Sequence, residues 1–314
     1  MVSVTEKAVV RPSGDGLWQR FLLLFYRYES LRGYLLLTPT LLVMIGMMIV
    51  PLVGLTVLSF CTQVYFQIDY TPTLKNYLAI FNFKENPIYL YLLLKSNIMS
   101  WVVTFFVIIT AYPMAYFLAF RVRRGKLVWL ILITVPFWTS YLLRVFAWKI
   151  ILGYQGLINS GFMSLGILKQ PLEFLLYNPT AVVTTLTHAW AAFAILPIYV
   201  SLEKIDKSLL EAATDLGDTP RERFWRVTFP LSLPGVVAAT LLVYIPTVGD
   251  YVTPTLVGGT SGIMVGNLIQ SLFGKANNAP LGSALAVVMM VTITLIVCIF
   301  LSAIGRKRWK QAAQ

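Results

Sequence analysis

The chain has 314 residues, of which 58% are hydrophobic and only 12% charged, a balance that excludes an ordinary soluble globular enzyme. Its net charge of +12 would suit a nucleic-acid binder, but the basic residues sit in short clusters between apolar runs, which assigns them to membrane topology instead. One histidine and two isolated cysteines, Cys61 and Cys298, form no metal or redox spacing, and no disulfide between them is expected.

The N-terminus does not read as a cleavable signal, because its apolar run, Phe21 to Tyr26, is short and is followed by Arg27 and Arg32. Residues 1–32 are expected to form a cytoplasmic tail with a helix over 16–30 lying on the inner membrane surface, Trp18, Phe21, Leu22 and Phe25 dipping into lipid. The alternative is a loose tail followed by an extension of the first span. Apolar stretches long enough to cross a bilayer then recur at 33–59, 89–120, 127–151, 180–202, 232–257 and 281–305. Backbone groups facing lipid must bond within their own segment, so the predicted fold is all-α: a polytopic membrane protein with six transmembrane helices over 33–305.

The first outer loop, 60–88, is expected to carry short helices. The turn Arg121-Val122-Arg123-Arg124-Gly125-Lys126 reads as a topological anchor. With both termini cytoplasmic, the inner pieces, ending in the basic tail 306–314, hold 18 of the 25 Lys and Arg residues, and the outer loops keep only Lys75, Lys84, Lys169 and Lys275. That is the positive-inside bias.

Arg144 falls roughly 17 residues, or about 26 Å at 1.5 Å per residue, into the third span, near its outer end. In the fourth span His188 reads as a packed, hydrogen-bonded side chain rather than a proton relay. The longest inner connection, 203–230, has Leu209, Leu210, Ala213 and Leu216 at helical spacing, with Glu211, Asp215 and Asp218 on the other side. Gly217 suits a helix end. Thr219 caps a second short helix with Pro220 in its first turn and Glu222 completing a capping box. Phe224, Trp225 and Val227 give this helix an apolar face, and Pro230 is expected to stop it. Two short helices with small residues, Ala212 and Ala213, at their corner form a knob suited to a groove on a partner. A connector resting on lipid headgroups would explain any single element of it.

In the fifth span Pro234, Pro246 and Pro254, with Gly235, Gly249 and Gly258, predict a bent or interrupted helix, the first candidate for lining a pathway. Asp250 lies there at a depth similar to that of Arg144. Charges inside a membrane are functional candidates. A cationic solute would favour Asp250, Tyr251 and aromatic faces such as Trp138. An anionic one would favour Arg144 and Lys149. Alternatively, Arg144 and Asp250 pair with each other or reach water and hold an outer gate without reading any ligand.

The string Glu211-Ala212-Ala213 through Gly217 to Phe229-Pro230 resembles the E-A-A-x-x-x-G loop of permease subunits from binding-protein-dependent ABC importers. Pro136-Phe137-Trp138-Thr139-Ser140-Tyr141-Leu142-Leu143-Arg144 through Lys149, and Pro246-Thr247-Val248-Gly249-Asp250-Tyr251 through Gly259, resemble segments of the spermidine/putrescine permease family, first permease type. The resemblance implies a type I importer permease in the bacterial inner membrane, with Glu211, Ala212, Ala213, Asp215, Gly217, Phe224 and Pro230 coupling to an ATPase. It implies a heterodimer with a second permease, two ATPase subunits and an external binding protein, embedded in membrane lipid, with no nucleic-acid partner. The expected solute is a polyamine; an opine, 4-aminobutyrate or an aminoethylphosphonate-like solute is the alternative within the same machinery. No phosphate-binding loop is present, since Gly125-Lys126 is followed by Leu127, so ATP and Mg are expected on the partner, with no cofactor or catalytic residue in this chain. An ion-coupled secondary transporter is the remoter reading; it would need acidic relays at mid-membrane, where only Asp250 comes near. A membrane enzyme would need a catalytic cluster that the residue spacing does not offer.

Overall fold

The computed structural model describes residues 29–65 and 67–312. The expected N-terminal tail, most of its surface helix, and the side chains of the basic tail 306–314 lie outside the described residues. The chain divides into two units, Met1–Val57 and Leu58–Gln314. The described part of the first is the body of helix α1 (Glu29–Ser59), whose stretch Leu36–Ser59 is long and apolar enough to span a bilayer. Its Pro39 and Pro51 are tolerated because the other backbone groups bond within the helix.

In the second unit the first outer loop differs in part from expectation. A short antiparallel hairpin of β1 (Thr62–Val64) and β2 (Gln67–Asp69) precedes a single helix, α2 (Lys75–Phe81). Buried Asn76 closes this loop by donating to the carbonyls of Ser59 (3.1 Å) and Cys61 (2.7 Å). The remaining helices are α3 (Ile88–Phe120), α4 (Lys126–Thr134), α5 (Tyr141–Leu152), α6 (Leu157–Ser164), α7 (Pro179–Glu203), α8 (Lys207–Asp215), α9 (Pro220–Arg223), α10 (Phe229–Val248), α11 (Val265–Phe273) and α12 (Ala279–Ala312).

Five described helices meet the length and hydropathy of a span, and a bent pair makes the sixth. The third span is therefore not the single helix expected over 127–151. Lys126–Trp138 and Tyr141–Ser164 meet at 84°. The cause is local: Pro136 sits in a tight turn over Val135–Trp138, and Thr139 then takes extended dihedrals of −84° and 145°. The Thr139 hydroxyl donates to the Pro136 carbonyl at 2.7 Å, bonding one group that the break releases. A straight-helix depth for Arg144 consequently does not apply.

The main core lies where α3, α7 and α10 cross, packed with small and β-branched residues such as Val103, Val107, Ala111, Val182, Ala194, Ala239 and Val243. A second cluster joins α3, α10, α11 and α12 around Tyr244, whose hydroxyl donates to Asn97 Oδ1 at 2.6 Å. Gly235 permits the close crossing of α10 on α7: a Cβ there would collide with the Pro197 carbonyl and the Ser201 side chain. Gly235→Ala should destabilise the protein by about 1–3 kcal/mol through overpacking against backbone. A lowered melting temperature of the purified chain checks this. Gly46→Ala, where a Cβ meets nothing within 4 Å, serves as the neutral control.

Candidate coupling corner and outer gate

Helix α8 starts on the Asp206 carboxylate, which accepts from the Ser208 N–H at 3.0 Å; that bond holds the carboxyl below its usual range. Leu210 packs on the core and Ala213 is buried, whereas Glu211, Ala212, Asp215 and Gly217 are exposed. Ala213 is thus taken up by its own chain, leaving Ala212 as the small exposed residue. The apolar face is narrower than the spacing predicts: Leu209 is 48% and Leu216 88% exposed. Leu216 lies beyond the last turn of a nine-residue helix, so helical periodicity no longer governs where it points.

The corner is closed by a Schellman pair of bonds, Asp218 N–H to the Ala213 carbonyl (3.0 Å) and Gly217 N–H to the Thr214 carbonyl (2.9 Å). Gly217 has φ +90°, which an L side chain adopts only with strain. The expected capping box is present: Thr219 Oγ1 accepts from the Glu222 N–H, and Glu222 Oε2 accepts from the Thr219 N–H (2.9 Å) and hydroxyl (2.7 Å). These bonds, with a smaller contribution from Arg226, hold the Glu222 carboxyl below its usual range. Arg223 donates to Thr214 Oγ1 at 2.8 Å and Arg226 pairs with Asp218 at 2.6 Å, so both arms of the corner are tied together.

Pro230 does not stop the second helix. Residues Pro220–Val248 run on without a break, α9 passing through a π turn at Phe224–Thr228 into α10. Phe229 N–H bonds to the Phe224 carbonyl across the widened turn, and Pro230 falls at the start of α10, where its missing donor costs little. Phe224 meets Tyr112 edge-on at 5.7 Å and Tyr116 at 6.2 Å, both on α3, and Tyr112 shares a 2.8 Å hydrogen bond with Ser232 on α10. The corner is bracketed to two spans.

At the other end of α10 the interruption expected in the fifth span is found. The helix ends at Val248, Asp250 and Tyr251 leave it, and a π turn follows at Pro254–Gly258. Asn267 donates to the Tyr251 carbonyl (2.9 Å) and to Thr255 Oγ1 (2.8 Å), while the Val265 N–H donates to buried Ser96 (2.7 Å). Asp250 accepts from the Tyr141 hydroxyl at 2.8 Å and from the Val252 N–H at 3.0 Å; Tyr141 Oη also lies 2.6 Å from Thr253 Oγ1.

Arg144 and Asp250 form no ion pair among the described residues, so the direct pairing considered from sequence is not realised. Arg144 donates to the Ala189 carbonyl at 3.0 Å and lies over the rings of Phe137 (5.9 Å) and Tyr141 (5.8 Å). Its Nε is buried without a partner among the described residues. Tyr141 links the two charges, its hydroxyl on the carboxylate and its ring under the guanidinium. Sequence reasoning passed over this residue, although its position three before Arg144 on one helix puts both on one face. Trp138, 88% exposed, and half-buried Lys149 make no hydrogen bond, ion pair or ring contact with this group among the described residues. Tyr251 is exposed and adjoins the break. His188 packs edge-on to Trp148 at 5.5 Å, with no hydrogen bond to its ring among the described residues.

Two outcomes follow. Tyr141→Phe removes a donor from the half-buried Asp250 carboxylate and should lower stability by about 1–3 kcal/mol, read as a lower melting temperature with the fold retained by circular dichroism. For Glu222 the folded carboxyl is depressed, so its cap is complete at neutral pH and is lost as pH falls through and below the ordinary carboxylate range. Protection of the Thr219–Arg223 amides, measured against their intrinsic exchange rates, should fall in that window, and Glu222→Gln should flatten the dependence there.

Comparison with known proteins agrees with this architecture. Residues 108–310 match the family described as binding-protein-dependent transport system inner membrane component. The chain is 36% identical over 231 residues to the spermidine/putrescine transport system permease protein PotB of Haemophilus influenzae, covering 74% of this chain and 79% of that one. It is 34% identical over 228 residues to PotB of Escherichia coli, covering 73% and 81%. A chain from the crystal structure of a bacterial alginate ABC transporter in complex with alginate pentasaccharide-bound periplasmic protein superposes with TM-score 0.68 at 16% identity, covering 90% of this chain and 95% of that chain. With a six-span type I permease fold and a family match over most of its length, the chain belongs to the inner membrane components of binding-protein-dependent transport systems.

Proposed function

We propose that this chain is one of two permease subunits of an ATP-driven importer and forms half the pathway for a polyamine such as spermidine or putrescine. The observation that carries the mechanism is the uninterrupted helix Pro220–Val248, about 40 Å long at 1.5 Å per residue, which starts at the coupling corner and ends beside Asp250. Two ATPase subunits, holding ATP and Mg, dock on the exposed Glu211, Ala212, Asp215 and Gly217, one of them on this chain. Their closure displaces the corner, Phe224 passes the displacement to α3 through Tyr112 and Tyr116, and α10 carries it to the break at Gly249. Asp250 and Tyr141 then shift against Arg144 and alter outward access.

The polyamine assignment draws on identity to permeases named for spermidine and putrescine. It is supported chemically by the Asp250 carboxylate, which accepts from the Tyr141 hydroxyl and is followed by exposed Tyr251, while rings cover the Arg144 guanidinium. An external binding protein delivers the solute, and the positive-inside charge distribution supports both termini in the cytoplasm.

The test is uptake of labelled putrescine and spermidine in cells carrying the complete transporter, with wild-type chain and with Gly217→Asp. Uptake should fall about tenfold or more in the variant, as a loss of ~1.4 kcal/mol in the transport step would give, with the complex still present in the membrane. Absence of polyamine uptake by an assembled, ATP-hydrolysing wild-type complex would overturn the solute. Undiminished uptake by the variant would overturn the docking role.

A further inference from the structure

Beside the coupling corner lies a cavity of about 830 Å³ that shares Glu211 with the proposed ATPase-docking face and whose basic residues the transport reading does not use. Three chain segments close on it: the inner end of α3 with the turn that follows, the start of α8, and the start of the long helix at α9. Its lining includes five cations, Arg121, Arg123, Lys126, Lys207 and Arg223, against one carboxylate, Glu211. Lys126 is neutralised by Glu203 at 2.7 Å, and Arg223 is held by the Thr214 hydroxyl. Arg121, Arg123 and Lys207 have no ion pair among the described residues.

The positive-inside rule places basic residues in inner loops, but it does not require that those from separate loops face one concavity. Like charges gathered this way repel, and an anion bound among them relieves the repulsion. Guanidinium groups favour phosphate oxygens in particular, through paired N–H donors. The location selects the source of that phosphate. The cavity adjoins the inner end of a span, and next to Lys126 the residues Leu127, Val128 and Trp129 are exposed apolar side chains suited to acyl chains and the interface.

We infer that this cavity holds the phosphate headgroup of an anionic inner-leaflet phospholipid on Arg121, Arg123 and Lys207, with the acyl chains along α4. A lipid there lies against α8 and Arg223, so membrane composition acts directly on the coupling corner. This inference concerns the chain in its bilayer and does not depend on which solute is carried.

Full-length chain in nanodiscs of phosphatidylcholine containing a minor fraction of phosphatidylglycerol tests it, by native mass spectrometry of retained lipid. Wild type should retain phosphatidylglycerol beyond the level set by the bulk lipid ratio, with retention weakening as salt is raised. Arg123→Gln and Lys207→Gln, made singly so that topology is kept, should each lower retention about fivefold, as expected for one basic contact at a membrane surface. Equal retention by wild type and both variants would overturn the site. Displacement of the lipid by millimolar inorganic phosphate, with no dependence on the membrane's phosphatidylglycerol, would overturn the lipid source in favour of a soluble phosphate.

Discussion

A backbone amide in the hydrocarbon layer has no water to bond, and the two breaks within the described spans answer to that constraint. The spans are helices wherever they face lipid. Where the chain departs from helix, at Thr139–Ser140 and at Gly249–Tyr251, a nearby side chain takes the released bonds: Thr139 for the Pro136 carbonyl, Asn267 for the Tyr251 carbonyl, Asp250 for the Val252 amide. Those departures gather the polar and charged side chains. Asp250 lies in one break, and Tyr141 and Arg144 follow the other within the first turn of α5. Irregular backbone and ionisable groups occupy the same places because both need an environment other than lipid.

The same constraint leaves the longest route from corner to outer group as one continuous helical stretch. Proline usually interrupts a helix, yet Pro220, Pro230, Pro234 and Pro246 all lie within the continuous stretch Pro220–Val248. Pro220 occupies a first-turn position, and the π turn at Phe224–Thr228 sets Pro230 at the start of the following segment. Phe224 stands at that turn, against Tyr112 and Tyr116. An irregular turn braced by aromatic packing joins the corner to the membrane helix.

The outer group is organised by an aromatic side chain rather than by charge pairing. A direct ion pair between Arg144 and Asp250 would leave both groups needing further hydrogen bonds in a poorly solvated site. With Tyr141 between them, the carboxylate gains a hydroxyl donor and the guanidinium gains a ring face. Neither charge is paired directly with the other.

What the sequence determined by itself is local. Hydropathy over about 20 residues marks a span wherever it occurs, and α3 and α7 match the expected ranges to within about a residue. The caps at Gly217, Thr219 and Glu222 were equally legible, since these residues act on neighbours no more than five positions away, whereas the Asp206 cap was not read. The tertiary structure decided everything that depends on which segments meet. It buried Ala213 while leaving Leu216 exposed, carried the chain through Pro230, and set Tyr141 between two charges on different spans. Period and propensity record only what a residue does with its own turn of helix; the side a residue faces, and whether a proline breaks or merely begins a segment, depend on packing partners a hundred positions away.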